Sequence, residues 1–374
     1  MQATESSSPP QFQPQPSLAD WLRLVQTPDV GLISAHRLLS VLITPAAIFA
    51  AAQRGDARLD SLRAGQRYAL RRPPDGFDRE LDRVLSWCAM PNHAVLTADH
   101  PLWPEPLRHI PRPPLLIYVN GRLELLSKPG LAMVGSRSAS TQGMANAARM
   151  AQALSEAGVT VVSGLALGID AASHTGALRG AGSTIAVVGT GVDRSYPVRN
   201  HALTQQIIAE GCVISEYGLG APPLKENFPL RNRIIAGLVQ GVLVVEAAAK
   251  SGSLITARLA AAYGRDVYAI PGSIHATLSK GCHTLIREGA KLVEQANDIL
   301  GDFNQQGACY WRDEPDDSFV DRVLVAMGEH PISPDQLAFL LKEEAASLQG
   351  QLLALELAGL IERLPGGMFQ RLRA

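Results

Sequence analysis

From residue 91 to about residue 300, short apolar runs alternate with segments of helical period. The runs Leu131–Val134, Val159–Val162, Thr184–Val188, Val213–Ser215, Val242–Glu246, Asp266–Ile270 and Lys291–Val293 read as strands. Val242–Glu246, a continuous apolar run ending in a carboxylate, suits a strand buried on both faces, as in a parallel sheet. Helical stretches between the strands imply βαβ units with right-handed crossovers. The pattern predicts a doubly wound α/β sheet in which every loop after a strand opens on one edge. The loops Gly135–Arg137, Ser163–Gly164, Gly189–Gly191, Lys250–Ser253 and Pro271–Ser273 are therefore expected to converge there as a shallow, backbone-rich groove.

The stretch 228–257, FPLRNRIIAGLVQGVLVVEAAAKSGSLITA, holds the densest chemistry. Pro229–Leu238 reads as a helix opening with Arg231 and Arg233, Val242–Glu246 as a buried strand, and AAAKSGS as a small-residue loop before a helix from about Leu254. The first N–H groups of a helix lack intrahelical partners and its dipole favours negative charge there. Strand, loop, helix start and arginines together point to a phosphate-rich ligand.

The flanks differ. Residues 1–16 are rich in Ser, Pro and Gln and are expected to be disordered. Residues 17–90 are helical in pattern, with Leu18, Trp21, Leu22 and Val25 on one face and a turn at Gly31 before an amphipathic helix. This resembles a SAM or helix-hairpin-helix module, which either packs or holds DNA backbone through its turn. Residues 91–114, rich in Pro, read as an ordered connector at the start of the large domain, 91–300. An acidic, irregular linker is expected at 301–317. In 318–374, three helices, the second starting at a Ser333-Pro334 cap, and a hairpin read as a winged helix.

Composition narrows the picture. With 46% hydrophobic and 18% charged residues, 374 residues can fill more than one core. The 34 basic and 35 acidic side chains balance, so any nucleic-acid site must be a local patch. The four cysteines, Cys88, Cys212, Cys282 and Cys309, form no metal-binding or redox spacing. Without a signal pattern or an apolar span of about 18 residues, the chain reads as cytoplasmic and not membrane-bound. No metal or cofactor is expected. GTGVDR, 189–194, lacks the third glycine of a dinucleotide fingerprint, and Lys250 lacks the first glycine of a P-loop. Asp170 and His174, four apart, form either an acid–base pair or a pocket wall, and Glu246 either a base or an ion-pair partner of Arg231 or Arg233. No nucleophile–base–orienter set emerges. A phosphoribohydrolase-like nucleotide enzyme is the rival reading, but PGSIHAT at 271–277 departs from that family's PGGxGT.

Eight segments in order, VGSRSAS, SGLALGIDAASHTGAL, STIAVVGTGVDRSYPVRN, SEYGLGAPP, KENFPLRNRIIAGL, VLVVEAAAKSGSLITARLAA, GRDVYAIPGS and GCHTLIREGAKLV, resemble the bacterial DNA processing protein A (DprA, also called Smf) family. His283 departs from the asparagine expected there. The resemblance implies an extended Rossmann-like fold and a non-enzymatic dimer. Such a protein binds single-stranded DNA entering the cell, protects it and loads the RecA recombinase. The chemistry agrees: single strands need phosphate donors and an apolar platform. The expected DNA contacts are Gly135, Ser136 and Arg137; Ser163 and Gly164; Lys225 and Phe228; Arg231, Asn232 and Arg233; and Lys250, Ser251, Gly252 and Ser253. Of Arg231 and Arg233, two apart on a helix, one is expected to face DNA and the other to hold Glu246 or a loop. Glu246, Asp170, His174 and Thr256 are expected to shape the pocket.

Overall fold

The computed structural model describes residues 15–307 and, further on, 323–324, 326–327, 332–341, 348, 352, 355, 361–364 and 368–371. The expected disordered tail lies outside the described residues up to residue 14. The chain divides into two compact units, Met1–Gly301 and Asp302–Ala374.

In the first unit, nine strands form one sheet: β1 His93–Thr97, β2 Leu116–Gly121, β3 Gly130–Val134, β4 Thr160–Ser163, β5 Thr184–Val187, β6 Cys212–Ser215, β7 Gly241–Val244, β8 Asp266–Ala269 and β9 Lys291–Leu292. Their order is β1-β2-β6-β5-β4-β3-β7-β8-β9. The seven strands β3 to β9 pair in parallel, while β1 and β2 are antiparallel additions beside β6. The chain winds outward from β3 through β4, β5 and β6, then returns to β3's other side with β7. This is a doubly wound, Rossmann-like sheet with its switch point between β3 and β7. Strand β1 corrects the sequence reading, which saw a connector in 91–114, and β2 follows it where no strand was expected. Their residues Val95, Leu96, Leu116 and Ile117 are buried because the antiparallel pair extends the core.

Five helices precede the sheet: α1 Leu18–Gln26, α2 Leu32–Leu42, α3 Pro45–Arg54, α4 Ala64–Arg71 and α5 Phe77–Cys88. They share one apolar core with the strands, Trp21, Leu38 and Val84 lying in the same cluster as Val95, Tyr118 and Val213. Trp87 meets the edge of the Tyr118 ring at 6.1 Å. Val25 is exposed, contrary to expectation, and Leu24 is buried instead. Helix α1 packs against α2, α3, α5 and β1, so its buried surface is not a single stripe.

The short helix α6, Glu105–Arg108, joins the antiparallel β1 and β2, and crossovers α7 Thr141–Glu156, α8 Ile169–Ala177, α9 His201–Glu210, α10 Asn227–Leu238, α11 Ser253–Ala262 and α12 Lys280–Arg287 complete the unit. Helix α13, Asn297–Gly307, runs past residue 301, where an irregular linker was expected. Its apolar Ile299 and Phe303, four apart, are both buried, which favours helix. The rest of the expected linker, 308–317, lies outside the described residues.

In the second unit, helix α14, Pro334–Leu341, starts with a reciprocal cap: Gln336 N donates to Ser333 Oγ at 3.2 Å and Ser333 N to Gln336 Oε1 at 3.4 Å. Strands β10 Ile361–Leu364 and β11 Met368–Arg371 form the hairpin. Val323, Met327, Leu337, Leu352, Ile361 and Phe369 make its core. The acidic positions Glu343, Glu344 and Glu356 of the expected third helix lie outside the described residues. Among the described residues, no single helix is long and apolar enough to cross a membrane.

Candidate functional site

A groove of about 760 Å³ opens at the carboxyl ends of β3 and β7, at the topological switch point. Three segments wall it: Gly135–Ser138 after β3, Ala248–Ser253 before α11, and the start of α10 with Lys225. Of the expected contacts, Gly135, Ser136, Arg137, Lys225, Phe228, Arg231, Asn232, Lys250, Ser251, Gly252 and Ser253 line it. Ser163, Gly164 and Arg233 do not.

The three that fail do so for structural reasons. Ser163 is fully buried and donates its hydroxyl to Met133 O at 2.6 Å, tying β4 to β3. Gly164 lies beneath the floor, where its carbonyl accepts from Arg231 Nη1 at 2.8 Å. A Cβ on it would stand 2.6 Å from Arg231 Nη2 and 2.9 Å from Asp170 Oδ2, so only glycine fits. Arg233 points to the opposite side of α10 and pairs with Glu216. Of the other converging loops, Gly189 packs under the Phe228 ring and Pro271–Ser273 stays outside.

Arg231 lines the groove as floor rather than as an exposed cation. It is 5% exposed, its Nη1 donates to the carbonyls of Gly164 and Val187, and Nε donates to Asn232 Oδ1 at 3.3 Å. Burial lowers its guanidinium to about 10, against the attraction of Asp170. Burial likewise raises the Asp170 carboxyl above the usual carboxylate range, opposed by Arg231. The exposed cations are Arg137, Lys225 and Lys250, one from each wall.

Glu246 corrects another expectation, since neither arginine holds it. Its carboxylate accepts from Ser140 N at 2.9 Å and Ser140 Oγ at 2.5 Å. A Cβ on Gly143 would fall 2.3 Å from that carboxyl carbon. Glu246 thus braces the start of α7, where a carboxylate also suits the helix dipole. Its carbonyl takes the N–H of Ser136 at 2.7 Å, and Ser136 Oγ takes the N–H of Ser138 at 3.2 Å. The loop after β3 is therefore held rigid, several of its N–H groups are used internally, and Arg137 is what it presents outward.

Opposite, Ser251 Oγ and Ser253 Oγ bond each other at 2.7 Å, Ser253 N donates to Ser251 Oγ at 3.3 Å, and the start of α11 faces the groove. Thr256 is buried beneath it. At α10, Asn227 Nδ2 donates to Gly189 O at 3.0 Å and Tyr217 Oη to Asn227 O at 3.3 Å, fixing Lys225 and Phe228 in place. The Phe228 ring is half-buried, 5.5 Å from the ring of Tyr196 and 6.0 Å from the Arg137 guanidinium. Sequence reasoning missed Tyr196. The one signal was an aromatic residue in a Gly/Pro loop of a chain with only 5% aromatics.

His174 is not an acid–base partner of Asp170. Its Nδ1 lies 2.7 Å from Thr184 Oγ1, whose own proton goes to Val161 O at 2.6 Å. Nδ1 therefore carries the hydrogen, and the buried Nε2 has no partner among the described residues. Burial, then the field of Arg231, depresses the imidazole to about 3. The unfolded value is about 6.5, so the neutral ring stabilises the fold above that pH, and this contribution is lost as pH falls toward 3. Urea unfolding should show stability falling by about 1.4 kcal/mol between pH 6 and 5, a slope that His174→Gln removes.

The comparisons with known proteins agree with this architecture. Residues 94–304 match the family described as DNA recombination-mediator protein A, and residues 312–367 match the DprA winged helix domain. Protein Smf of Escherichia coli (strain K12) is 39% identical over 328 residues, covering 84% of this chain and 86% of that protein. The chain belongs to the DNA recombination-mediator protein A family. Another member, DNA processing protein DprA of Streptococcus pneumoniae, is 52% identical over 201 residues, 54% of this chain and 71% of that one. The crystal structure of that pneumococcal DprA superposes with a TM-score of 0.60 at 38% identity, covering 73% of this chain and 98% of the other. DprA from Helicobacter pylori, described for its single-stranded DNA binding mode, superposes with a TM-score of 0.53 at 28% identity, over 57% of this chain and 96% of that one.

Proposed function

We propose that this chain binds single-stranded DNA in the groove at the β3–β7 switch point without reading base sequence. The observation that carries the reading is the set of exposed cations Arg137, Lys225 and Lys250 around the paired rings of Phe228 and Tyr196. Cations from separate walls suit successive phosphates, and a half-exposed ring suits a base face. The helix start of α11 adds a favourable dipole for a phosphate. A duplex keeps its bases stacked and cannot offer them to Phe228. The Helicobacter pylori relative, described for single-stranded DNA binding, supports the same ligand.

Within this reading the protein is a non-catalytic recombination mediator. It works as a homodimer, protects incoming strands and helps load RecA during natural transformation. The groove supports the non-catalytic part: Asp170 and Glu246 are committed to internal partners, and His174 lies outside the groove lining, buried against Thr184.

The test is fluorescence anisotropy with single-stranded and blunt duplex DNA of equal length. Single strands should bind tighter, with log affinity falling against log salt at a slope of about −2, or about −0.7 for each of three phosphates. Equal affinity for duplex, or a flat salt response, would sink the reading.

A further inference from the structure

A second recess, of about 550 Å³, lies on the far side of α10 from the groove, between that helix and the turns before α2 and α4. Helix α2 opens into it with Gly31 at the cap, a residue that has no side chain to satisfy the first N–H groups. Three arginines line it: Arg63, Arg112 and Arg233. Arg63 and Arg112 are exposed and form no ion pair among the described residues. Arg233 is 7% exposed. Its Nη2 is paired with Glu216, but the buried Nη1 has no hydrogen-bond partner among the described residues. A buried guanidinium edge left unmatched is costly, and an anion seated in the recess beside it would offset its charge.

Of the two carboxylates in the lining, Glu216 is held by Arg233, and Asp29 turns toward Gly65 at the start of α4. The rim carries two exposed apolar side chains, Ile33 at 61% and Leu230 at 50%. Apolar rims beside an anion hole suit a nucleotide better than a bare inorganic ion. Leu230 and Arg233 lie on α10 opposite Asn232 and Ile235, which line the first groove. The two sites are thus separated by one helix, about 10 Å across. Lys225 and the exposed Leu224 precede the start of α10, the helix that separates the two sites.

We propose that this recess is a second phosphate site, which holds a backbone phosphate of the strand whose other phosphates occupy the first groove. It rests on the single-strand reading above and makes the footprint longer than the groove. The N-terminal helices then act in binding through α2 and Arg63, rather than as packing alone.

The test uses the full chain and the variant Arg63→Glu/Arg112→Glu, which changes two exposed side chains and nothing in the first groove. Affinities are measured for oligothymidylates of about 6 and about 30 nucleotides, which bracket common site sizes. The variant should bind the long strand at least about tenfold more weakly, with a salt slope shallower by about 0.7 for the one phosphate lost, and the short one like the parent. Unchanged long-strand binding overturns the proposal. So does an equal loss at both lengths, which would mean a general field rather than a second site.

A second arm titrates inorganic phosphate and follows the amide resonances of Leu32, Ile33 and Ser34. Saturable shifts in the parent that the variant lacks support the site even if the parent bound no single strand, an outcome that would sink the functional reading instead. Absence of shifts in such a parent overturns both. Phosphate binding without any long-strand effect assigns the recess to a free phosphate and overturns the strand path.

Discussion

Arg137→Glu should weaken single-strand binding by about 30- to 100-fold at moderate salt, where Arg137→Ala costs about tenfold. The guanidinium stands exposed at the tip of the loop after β3. That loop cannot easily swing away, because Ser136 N is tied to Glu246 O and Glu246 in turn braces Ser140. Reversal therefore places a carboxylate where a phosphate must sit. The fold should be indifferent, since Arg137 is exposed and forms no ion pair among the described residues. A thermal melt matching the parent's is the control. Lys225→Ala should lose less and make the salt slope shallower by about 0.7. Phe228→Ala should cost about 1–3 kcal/mol with the slope unchanged, because a stacked ring exchanges no counterions. Since Phe228 also covers Gly189, its melt must be read beside its binding curve. A folded Arg137→Glu protein that binds like the parent removes the groove as the site.

The parallel strands were legible because most are short, nearly unbroken apolar runs, as in Gly130–Val134 and Gly241–Val244. Their loops had to share one edge, so Arg137, Lys225 and Lys250 could be brought together from pattern alone. Two things were hidden. Strands β1 and β2 lie among prolines and join the sheet antiparallel, linked by the four-residue helix α6, so the alternation of strands with full-length helices gives no sign of them. The direction of a side chain at the sheet edge was hidden too. Ser163 closes β4 and Arg137 follows β3, yet the hydroxyl turns inward to a carbonyl and the guanidinium turns out. Arg231 and Arg233 were correctly assigned to different faces from their spacing. Their partners Asp170, Val187 and Glu216 come from three other loops or strand ends, which spacing within one helix cannot reveal. Glu246 was misjudged for the same reason: β7 ends at Val244, so the carboxylate sits in the loop beyond it and reaches α7 rather than α10.

Arg231→Met is expected to cost the fold about 3–5 kcal/mol, the range for leaving a buried charge without its partner. Methionine keeps much of the volume, so the loss should come from polarity rather than from a cavity. The carbonyls of Gly164 and Val187 lose a donor beneath the groove, and the fully buried Asp170 loses the cation that opposes its desolvation. Asp170 would keep only backbone donors such as Ala166 N, at 3.3 Å. Its folded pKa should then rise further above the unfolded value of about 3.9. A carboxyl raised in this way favours the folded state below the unfolded pKa, and that contribution disappears as pH climbs through the folded pKa. Adding Asp170→Asn removes the uncompensated charge. The double variant should recover a substantial part of the loss at pH 7, giving a coupling of about 1–3 kcal/mol in a double-mutant cycle of urea unfolding. Additive single and double variants would mean that Arg231 serves the carbonyls alone and that Asp170 is already neutral beside it.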